Sequence, residues 1–376
     1  MSEERGGGGV PFLDLRRQYE SLRAEIDGAV GRVLANGDFI LGGEVAAFEK
    51  AIAAYLDVAP ERAIGVSNGS DALVLALRAA GLAAGEEVVT SPFTFVATGT
   101  SILRAGGRPR FVDLAEGSFL LDVAAAAASG ARVAMPVHLF GQTCDVAPLQ
   151  AAGLTVVEDA AQAIAARLPG GARARAGTAA GAWGAYSFYP TKNLGAAGDA
   201  GLVVAPDAAG AARVRVLRTH GQAQKYFATE LGYNMRLDGL QAAVLAVKLA
   251  RLDAWTARRR ALAARYGALL SEAVRGDVLR LPRAPEAAEE HVWHAYTVRA
   301  ARREELRKHL GAAGIATQVF YPHALHRMPA FAAFAPAGGL PRAESAAASA
   351  LSLPLFPEMT EAEQDRVVGA IAAFYR

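Results

Sequence analysis

Several residue types and patterns are scarce in this sequence, and each shortage closes off a class of function. Cysteine occurs once in 376 residues, at Cys144, which excludes a disulfide framework and any multi-cysteine metal site. Neither sign of charge dominates: 39 basic residues against 37 acidic ones leave a formal net charge of +2, with no basic stripe along the chain. Nucleic-acid binding therefore has no electrostatic support. No apolar run reaches bilayer-spanning length, and Met1 to Gly9 is charged and glycine-rich where a signal peptide needs an apolar core. A cytoplasmic chain with no membrane partner is the expectation. Lysine is the most telling scarcity. There are five, Lys50, Lys192, Lys225, Lys248 and Lys308, which leaves 34 of the 39 basic residues to arginine. Where a generic positive charge suffices, this chain uses arginine. A lysine in an unusual setting is then present for its amine, which can lose a proton and act as a nucleophile where a guanidinium cannot.

What is present is a composition 52% hydrophobic and 20% charged, ample for a large buried core. The expected organisation is a flexible tail over 1–10, N-terminal helices plus a large α/β domain over 11–250, and a linking helix with a smaller α/β domain over 251–376. Helical spacing of apolar residues marks Leu15 to Leu34 and Val45 to Leu56. Short apolar runs predict strands at Ala63 to Val66, Glu87 to Thr90, Arg110 to Val112, Val133 to His138, Thr155 to Glu158, Gly184 to Phe188 and Gly201 to Val204. Helical segments fall between them at Asp71 to Ala80, Val96 to Arg104 and Val146 to Ala152. This alternation predicts an α/β fold with a mostly parallel sheet covered on both faces, and active residues at the carboxyl ends of its strands. Beyond it, the spacing predicts one long helix from Arg236 to about Leu270. Strands at Trp293 to Val298 and Thr317 to Phe320 then flank a helix at Arg303 to Ala313, and a helix from Glu361 to Tyr375 closes the chain. The alanine-rich patches at 124–128 and 343–350 read as helix.

Four places carry candidate chemistry. Lys192 follows the aromatic strand Tyr186-Ser187-Phe188-Tyr189 and precedes a glycine-rich stretch. A lysine held there among apolar neighbours has its neutral amine favoured by desolvation, as Schiff-base chemistry requires. Glu158-Asp159 ends the apolar run Leu154-Thr155-Val156-Val157, which would deliver a carboxylate to a strand end; capping of a following helix by Asp159 is the alternative reading. Beside a Schiff-base lysine, such an acid can keep a pyridine nitrogen protonated. Ser67-Asn68-Gly69-Ser70-Asp71 lies between a strand and a helix, where Gly69 admits an anion to the backbone N–H groups and Ser70 adds a donor. Phe95 follows another strand and could lie flat on a ring, or simply pack in the core.

These motifs, in this order, resemble the nucleotide-sugar aminotransferases of the DegT type, within the fold-type I, aspartate-aminotransferase-like pyridoxal-phosphate enzymes. The resemblance runs from Pro11-Phe12-Leu13-Asp14-Leu15 to Leu351-Ser352-Leu353-Pro354. Its most specific pieces are Glu158-Asp159-Ala160-Ala161-Gln162, the stretch Ser187 to Gly195, and Gly232-Tyr233-Asn234-Met235-Arg236-Leu237-Asp238. It implies pyridoxal 5′-phosphate as cofactor, with pyridoxamine 5′-phosphate as its alternate form. By the same resemblance Lys192 carries the cofactor and shuttles the proton, and Asp159 pairs with the pyridine nitrogen. Gln162 bonds the phenolic oxygen, Phe95 stacks on the ring, and Gly69, Ser70 and Ser187 hold the phosphate. Asn234 reaches the cofactor of a second subunit, making a homodimer the minimal unit, and Tyr321 and His326 lie near the sugar.

The wording around Lys192 and Asn234 is similar to the members that aminate C3. It implies transfer from L-glutamate to a dTDP-linked 3-keto-6-deoxyhexose in amino-sugar biosynthesis. The alternatives are amination at C4, a UDP-linked 3-keto hexuronate as substrate, or, in a different class, a non-catalytic cofactor-binding regulator. The chain departs from the family's frequent residues at Ile164 and Ala165, where His-Gly is common, at Phe320, where His is common, and at Ala200, where Gly is usual.

Overall fold

In a computed structural model, residues 8–170 and 174–376 are described. Two helices open the chain, α1 (Leu15–Asn36), capped by the Asp14 carboxylate, and α2 (Gly43–Leu56). The alternating segment follows as β1 (Ala63–Val66), α3 (Gly69–Ala79), β2 (Glu87–Thr90), α4 (Val96–Arg104), β3 (Arg108–Phe111), α5 (Val123–Ala127), β4 (Val133–Met135), α6 (Ala147–Ala151), β5 (Thr155–Asp159), β6 (Trp183–Ser187), β7 (Gly201–Val204) and α7 (Ala208–Leu217). The seven strands form one sheet in the order β1-β7-β6-β5-β4-β2-β3. Every pairing from β6 to β3 is parallel. β7 runs against both of its neighbours, so β1 points the same way as β6.

Strand alternation sends successive side chains into two cores. Ala63, Tyr186, Leu202 and Val204 pack with Phe48, Ile52 and Leu245, whereas Ile64, Val66, Ala185 and Val203 pack with Leu73, Leu77 and Val214. Both faces are thus covered, and these strands read as continuous apolar runs for that reason. Glu49 of α2 ties one edge of the sheet. It accepts from the Gly65 N–H at 2.8 Å and from Arg218 at 2.8 Å, with Arg215 at 3.2 Å.

A short hairpin, β8 (Gln222–Gln224) with β9 (Phe227–Ala228), leads to α8 (Gly239–Leu249) and α9 (Leu252–Ala273). The single helix expected from Arg236 to Leu270 is two helices, broken at Ala250-Arg251. α8 packs on α1 and α2 and α9 packs on the last helix, so the two halves bury different faces, and Arg251 turns out to Glu25 at 2.8 Å. The remainder is β10 (Leu279–Arg280), β11 (Tyr296–Ala300), α10 (Arg303–Ala312), α11 (Pro341–Ser349), β12 (Ala350–Leu353) and α12 (Glu361–Tyr375), the last opened by a Thr360/Glu363 capping box. β10, β11 and β12 make a second, antiparallel sheet.

The expected strand from Trp293 begins three residues later, because Trp293 has a left-handed backbone (φ 49°) that interrupts the extended run. Thr317 to Phe320 is not a strand. Gln318 makes one bridge to Ser352, and the chain then turns away, carrying Phe320 and Tyr321 toward the large sheet. Residues 1–7 of the expected tail lie outside the described residues. Val10, placed in that tail, is fully buried, exchanges hydrogen bonds with the Gly314 and Ala316 backbone, and joins the core of the second sheet. No helix among the described residues is long and apolar enough to cross a membrane.

Candidate active site

Because β1, β2, β5 and β6 point the same way, their carboxyl ends meet on one side of the sheet, where a cavity of about 790 Å³ opens. Asn68, Gly69 and Ser70 line it from the end of β1, Thr94 and Phe95 from beyond β2, Asp159 and Gln162 from β5, and Ser187 and Lys192 from β6. Phe320 and Tyr321 line it as well. The order of the chain scatters these residues; the sheet gathers them.

Neighbours on a strand face opposite ways, and this separates the two acids of the β5 end. Glu158 is fully buried away from the cavity and accepts from Gly177 N–H at 2.8 Å, Ala179 N–H at 3.0 Å and the His138 ring at 2.8 Å. Asp159 faces the cavity. Its Oδ2 accepts from the Thr98 hydroxyl at 2.8 Å and its Oδ1 from the Ala161 N–H at 3.2 Å, which closes a turn rather than capping a helix. Burial raises its pKa above the ordinary carboxylate value, with the Thr98 and Ala161 bonds and the charge of Lys192 working against that rise.

Lys192 sits in the turn after β6, its N–H donating to the Tyr189 carbonyl at 2.8 Å. Although part of the side chain faces the cavity, burial lowers the ammonium from 10.5 to about 8, opposed by Asp159. An amine in this state is deprotonated near neutral pH far more often than an ordinary lysine, as a nucleophile or base needs.

The β1 end is built for close approach. Asn68 caps α3 by accepting from the Asp71 N–H at 2.8 Å, and Asp71 in turn holds the Asn68 amide, the Ser67 hydroxyl and Arg104. A Cβ on Gly69 would stand 2.5 Å from the Ser187 Cβ, so only glycine lets the α3 N-terminus and the β6 end share one cup. Helix N–H groups, the Ser70 hydroxyl and the Ser187 hydroxyl converge there as an anion cradle. Gln162 is fixed as a donor to the cavity side: its Oε1 accepts from the Phe140 N–H at 2.7 Å and its Nε2 donates to the Tyr321 hydroxyl at 3.1 Å. Phe95, at the N-cap of α4, leaves 55% of its surface open at the mouth.

Two expected site residues lie elsewhere in this chain. Asn234 is exposed, bridged to Thr219, and absent from the cavity wall. His326 does not reach the cavity; it is buried and bonded to Glu344 at 2.9 Å, beside Arg327, which pairs with the same carboxylate at 2.8 Å. Ile164 is likewise a core residue, packed with Phe48 and Phe188. Ala165 has φ 76°, a left-handed backbone that favours glycine, which gives a physical reason for the glycine common at this place in similar sequences.

Several lining residues escaped the sequence reading, Thr98, Asp199 and His294 among them. Thr98 lies one helical turn after Phe95, a spacing that could have flagged it. Asp199 sits at the exposed rim. His294, whose Nδ1 bonds Asn193 Oδ1 at 3.0 Å, gave no pattern in the sequence, since its neighbours Trp293 and Tyr296 read as core.

Known proteins are similar to this chain in both sequence and fold. The model of the DegT/DnrJ/EryC1/StrS aminotransferase family matches residues 20–372. The chain is 48% identical, over 98% of its length and 99% of the relative's, to a "pleiotropic regulatory protein" of Geobacillus stearothermophilus. It is 45% identical, over 96% and 95%, to dTDP-3-amino-3,4,6-trideoxy-alpha-D-glucose transaminase of Streptomyces venezuelae. The crystal structure of S. venezuelae DesV in complex with a ketimine intermediate superposes with a TM-score of 0.91 at 42% identity, covering 98% of this chain and 99% of that one. With matches of this extent in sequence and structure, the chain belongs to the DegT/DnrJ/EryC1/StrS aminotransferase family.

Proposed function

We propose that this aminotransferase binds pyridoxal 5′-phosphate in the Lys192 cavity and moves an amino group from L-glutamate to a dTDP-linked 3-keto-6-deoxyhexose. The observation that carries the reading is a buried carboxylate, Asp159, facing the same cavity as an amine lowered to about 8, Lys192. Asp159 is desolvated, and no cation lies within ion-pair distance of it among the described residues. A protonated ring nitrogen would supply the missing positive charge. Gly69, Ser70 and Ser187 line the same cavity and would hold the phosphate of such a ring.

When bound, the cofactor supplies an electron sink for negative charge developing on a substrate carbon. The protein does the rest. Asp159, oriented by Thr98 and Ala161, would hold a proton on the ring nitrogen. Gln162, oriented by Phe140, donates to the ring's oxygen substituent. Phe95, at the cavity mouth, would pack on the ring. Lys192, whose amine lines the same cavity, would be the base that takes a proton from the donor's carbon and the acid that gives one to the acceptor's.

Asn234 completes the phosphate site of a second copy in a homodimer. Exposed apolar side chains support such an interface: Tyr226, Phe227 and Leu231, which precede Asn234, leave 86%, 63% and 89% of their surfaces open.

The preference for a deoxysugar rests on the cavity wall. Phe320 and Tyr321 are aromatic residues of that wall, and Arg104, which also lines the cavity, is paired with Asp71. Arg327, the nearest sequence candidate for holding a carboxylate, is paired with Glu344 away from the wall. A hexuronate carboxylate against Phe320 would lose solvation without a partner. Steady-state rates with dTDP-linked 3-keto and 4-keto 6-deoxysugars and a UDP-linked 3-keto hexuronate test this. The 3-keto deoxysugar should give the highest kcat/KM, and a clear preference for either of the others refutes the assignment.

A further inference from the structure

A phosphate placed on Gly69, Ser70 and Ser187 would meet backbone N–H groups and hydroxyls, which supply dipoles but no full positive charge. A phosphomonoester carries about two negative charges near neutral pH, so something in the cavity has to balance it. Among the described residues that line the cavity only two are cations, Lys192 and Arg104. Lys192 is the amine that carries the cofactor in the proposed function, and burial keeps His294 neutral. Arg104 is left.

Direct bonds tie Arg104 to the cradle. It ends α4, and Ser101, about one turn earlier on the same face of that helix, donates its hydroxyl to the Ser70 carbonyl at 3.0 Å. Arg104 itself donates from one Nη to Asp71 Oδ1 at 2.8 Å. Asp71 follows Ser70 in the chain and lines the cavity, and its Oδ2 accepts from the Ser67 hydroxyl at 2.5 Å and from the Asn68 amide at 2.9 Å. The carboxylate thus holds the guanidinium by one corner. The Arg104 Nε and second Nη have no protein partner among the described residues, and 48% of the side chain is open. Without this guanidinium, Asp71 would set an unbalanced negative charge beside the place where the phosphate has to bind.

We propose that Arg104 is a phosphate-binding residue of the Lys192 cavity, its free N–H donors taking an oxygen of the pyridoxal 5′-phosphate phosphate while Asp71 aims the guanidinium. The proposal deepens the cofactor reading and rests on it. A guanidinium engaged by both Asp71 and the phosphate has no charge left over for a sugar carboxylate, in keeping with the deoxysugar assignment.

The test measures binding to the full chain freed of cofactor, followed by protein fluorescence, with three probes: pyridoxal 5′-phosphate, pyridoxal, which lacks the phosphate, and dTDP. Arg104→Gln removes the charge and keeps a polar side chain, whereas Arg104→Lys keeps the charge. In Arg104→Gln the Kd for pyridoxal 5′-phosphate should rise about tenfold, the worth of a charge-assisted hydrogen bond to an anion. In Arg104→Lys it should rise about threefold or less, and pyridoxal should bind all three proteins alike. An unchanged Kd for pyridoxal 5′-phosphate in Arg104→Gln overturns the proposal. Pyridoxal weakened as much as its phosphate overturns it as well, because Arg104 would then only support the cavity wall. An Arg104→Lys protein as weak as Arg104→Gln is equally contrary, since charge is what the cradle lacks. Weakened dTDP with unmoved pyridoxal 5′-phosphate would give Arg104 to the nucleotide's diphosphate instead. Binding by the parent tests the cofactor reading by itself: a parent that fails to bind pyridoxal 5′-phosphate overturns that reading and the proposal together, whereas equal binding by parent and Arg104→Gln overturns the proposal alone.

Discussion

Replacing Lys192 by methionine should stabilise the cofactor-free protein, in proportion to the free energy spent on burying an amine. The side chains are of similar length, so packing is largely kept and the charge is what disappears. The ammonium falls from 10.5 to about 8 on folding. At about 1.4 kcal/mol per pH unit this is roughly 3 kcal/mol, reduced to about 2 to 3 kcal/mol because part of the side chain faces solvent. The sign follows from proton counting. Between about pH 8 and 10.5 the unfolded chain holds a proton on this lysine that the folded chain has lost, so parent stability gains with rising pH in that window. Below it, both states are protonated and the full cost is felt. Urea unfolding of the parent and of Lys192→Met, both free of cofactor, at pH 7, 8, 9 and 10 reads this residue together with Asp159 and His294, the two groups that feel its charge. The variant should be more stable by about 2 to 3 kcal/mol at pH 7, with the gap closing toward pH 10. A gap that does not change with pH would show that the amine is not desolvated, and the argument for its reactivity would fail.

Other perturbations reach other parts of the account. Gly69→Ala places a methyl against the Ser187 Cβ at 2.5 Å, and cofactor titration should show binding weakened by about tenfold or more, a loss of about 1.4 kcal/mol. Glu49→Leu leaves buried Arg218 without its carboxylate, and urea unfolding should register a loss of about 3 kcal/mol. Mixing Lys192→Ala with Asn234→Ala subunits, each inactive alone, should restore part of the activity once exchange is demonstrated, because one composite site per heterodimer is then intact. Exchanged but inactive mixtures would place Asn234 in its own subunit's function.

The large sheet was legible because it is buried on both faces: strands such as Val88-Val89 and Leu202-Val203 are apolar throughout, and helices separate them. That Lys192, Asp159 and Gly69 line one cavity was legible for a related reason, since each lies at or just beyond the end of such a strand. Features set by tertiary contact were not. The break at Ala250-Arg251 depends on what each half-helix meets, and nothing local to Ala250 announces it. Val10 reads as tail because its pairing partners lie about three hundred residues away. His326 and His294 show the limit best. Both are histidines near aromatic residues, and only the fold decides that one turns to Glu344 and the other to the cavity.

The most direct test of the central claim is chemical. The protein loaded with pyridoxal 5′-phosphate is treated with borohydride, which fixes a Schiff base as a stable amine, then digested and mapped by mass spectrometry. The account predicts the cofactor mass on the peptide containing Lys192, with Lys50, Lys225, Lys248 and Lys308 unmodified. Fixation on any of those four, or no fixation in a protein that binds the cofactor, would contradict it.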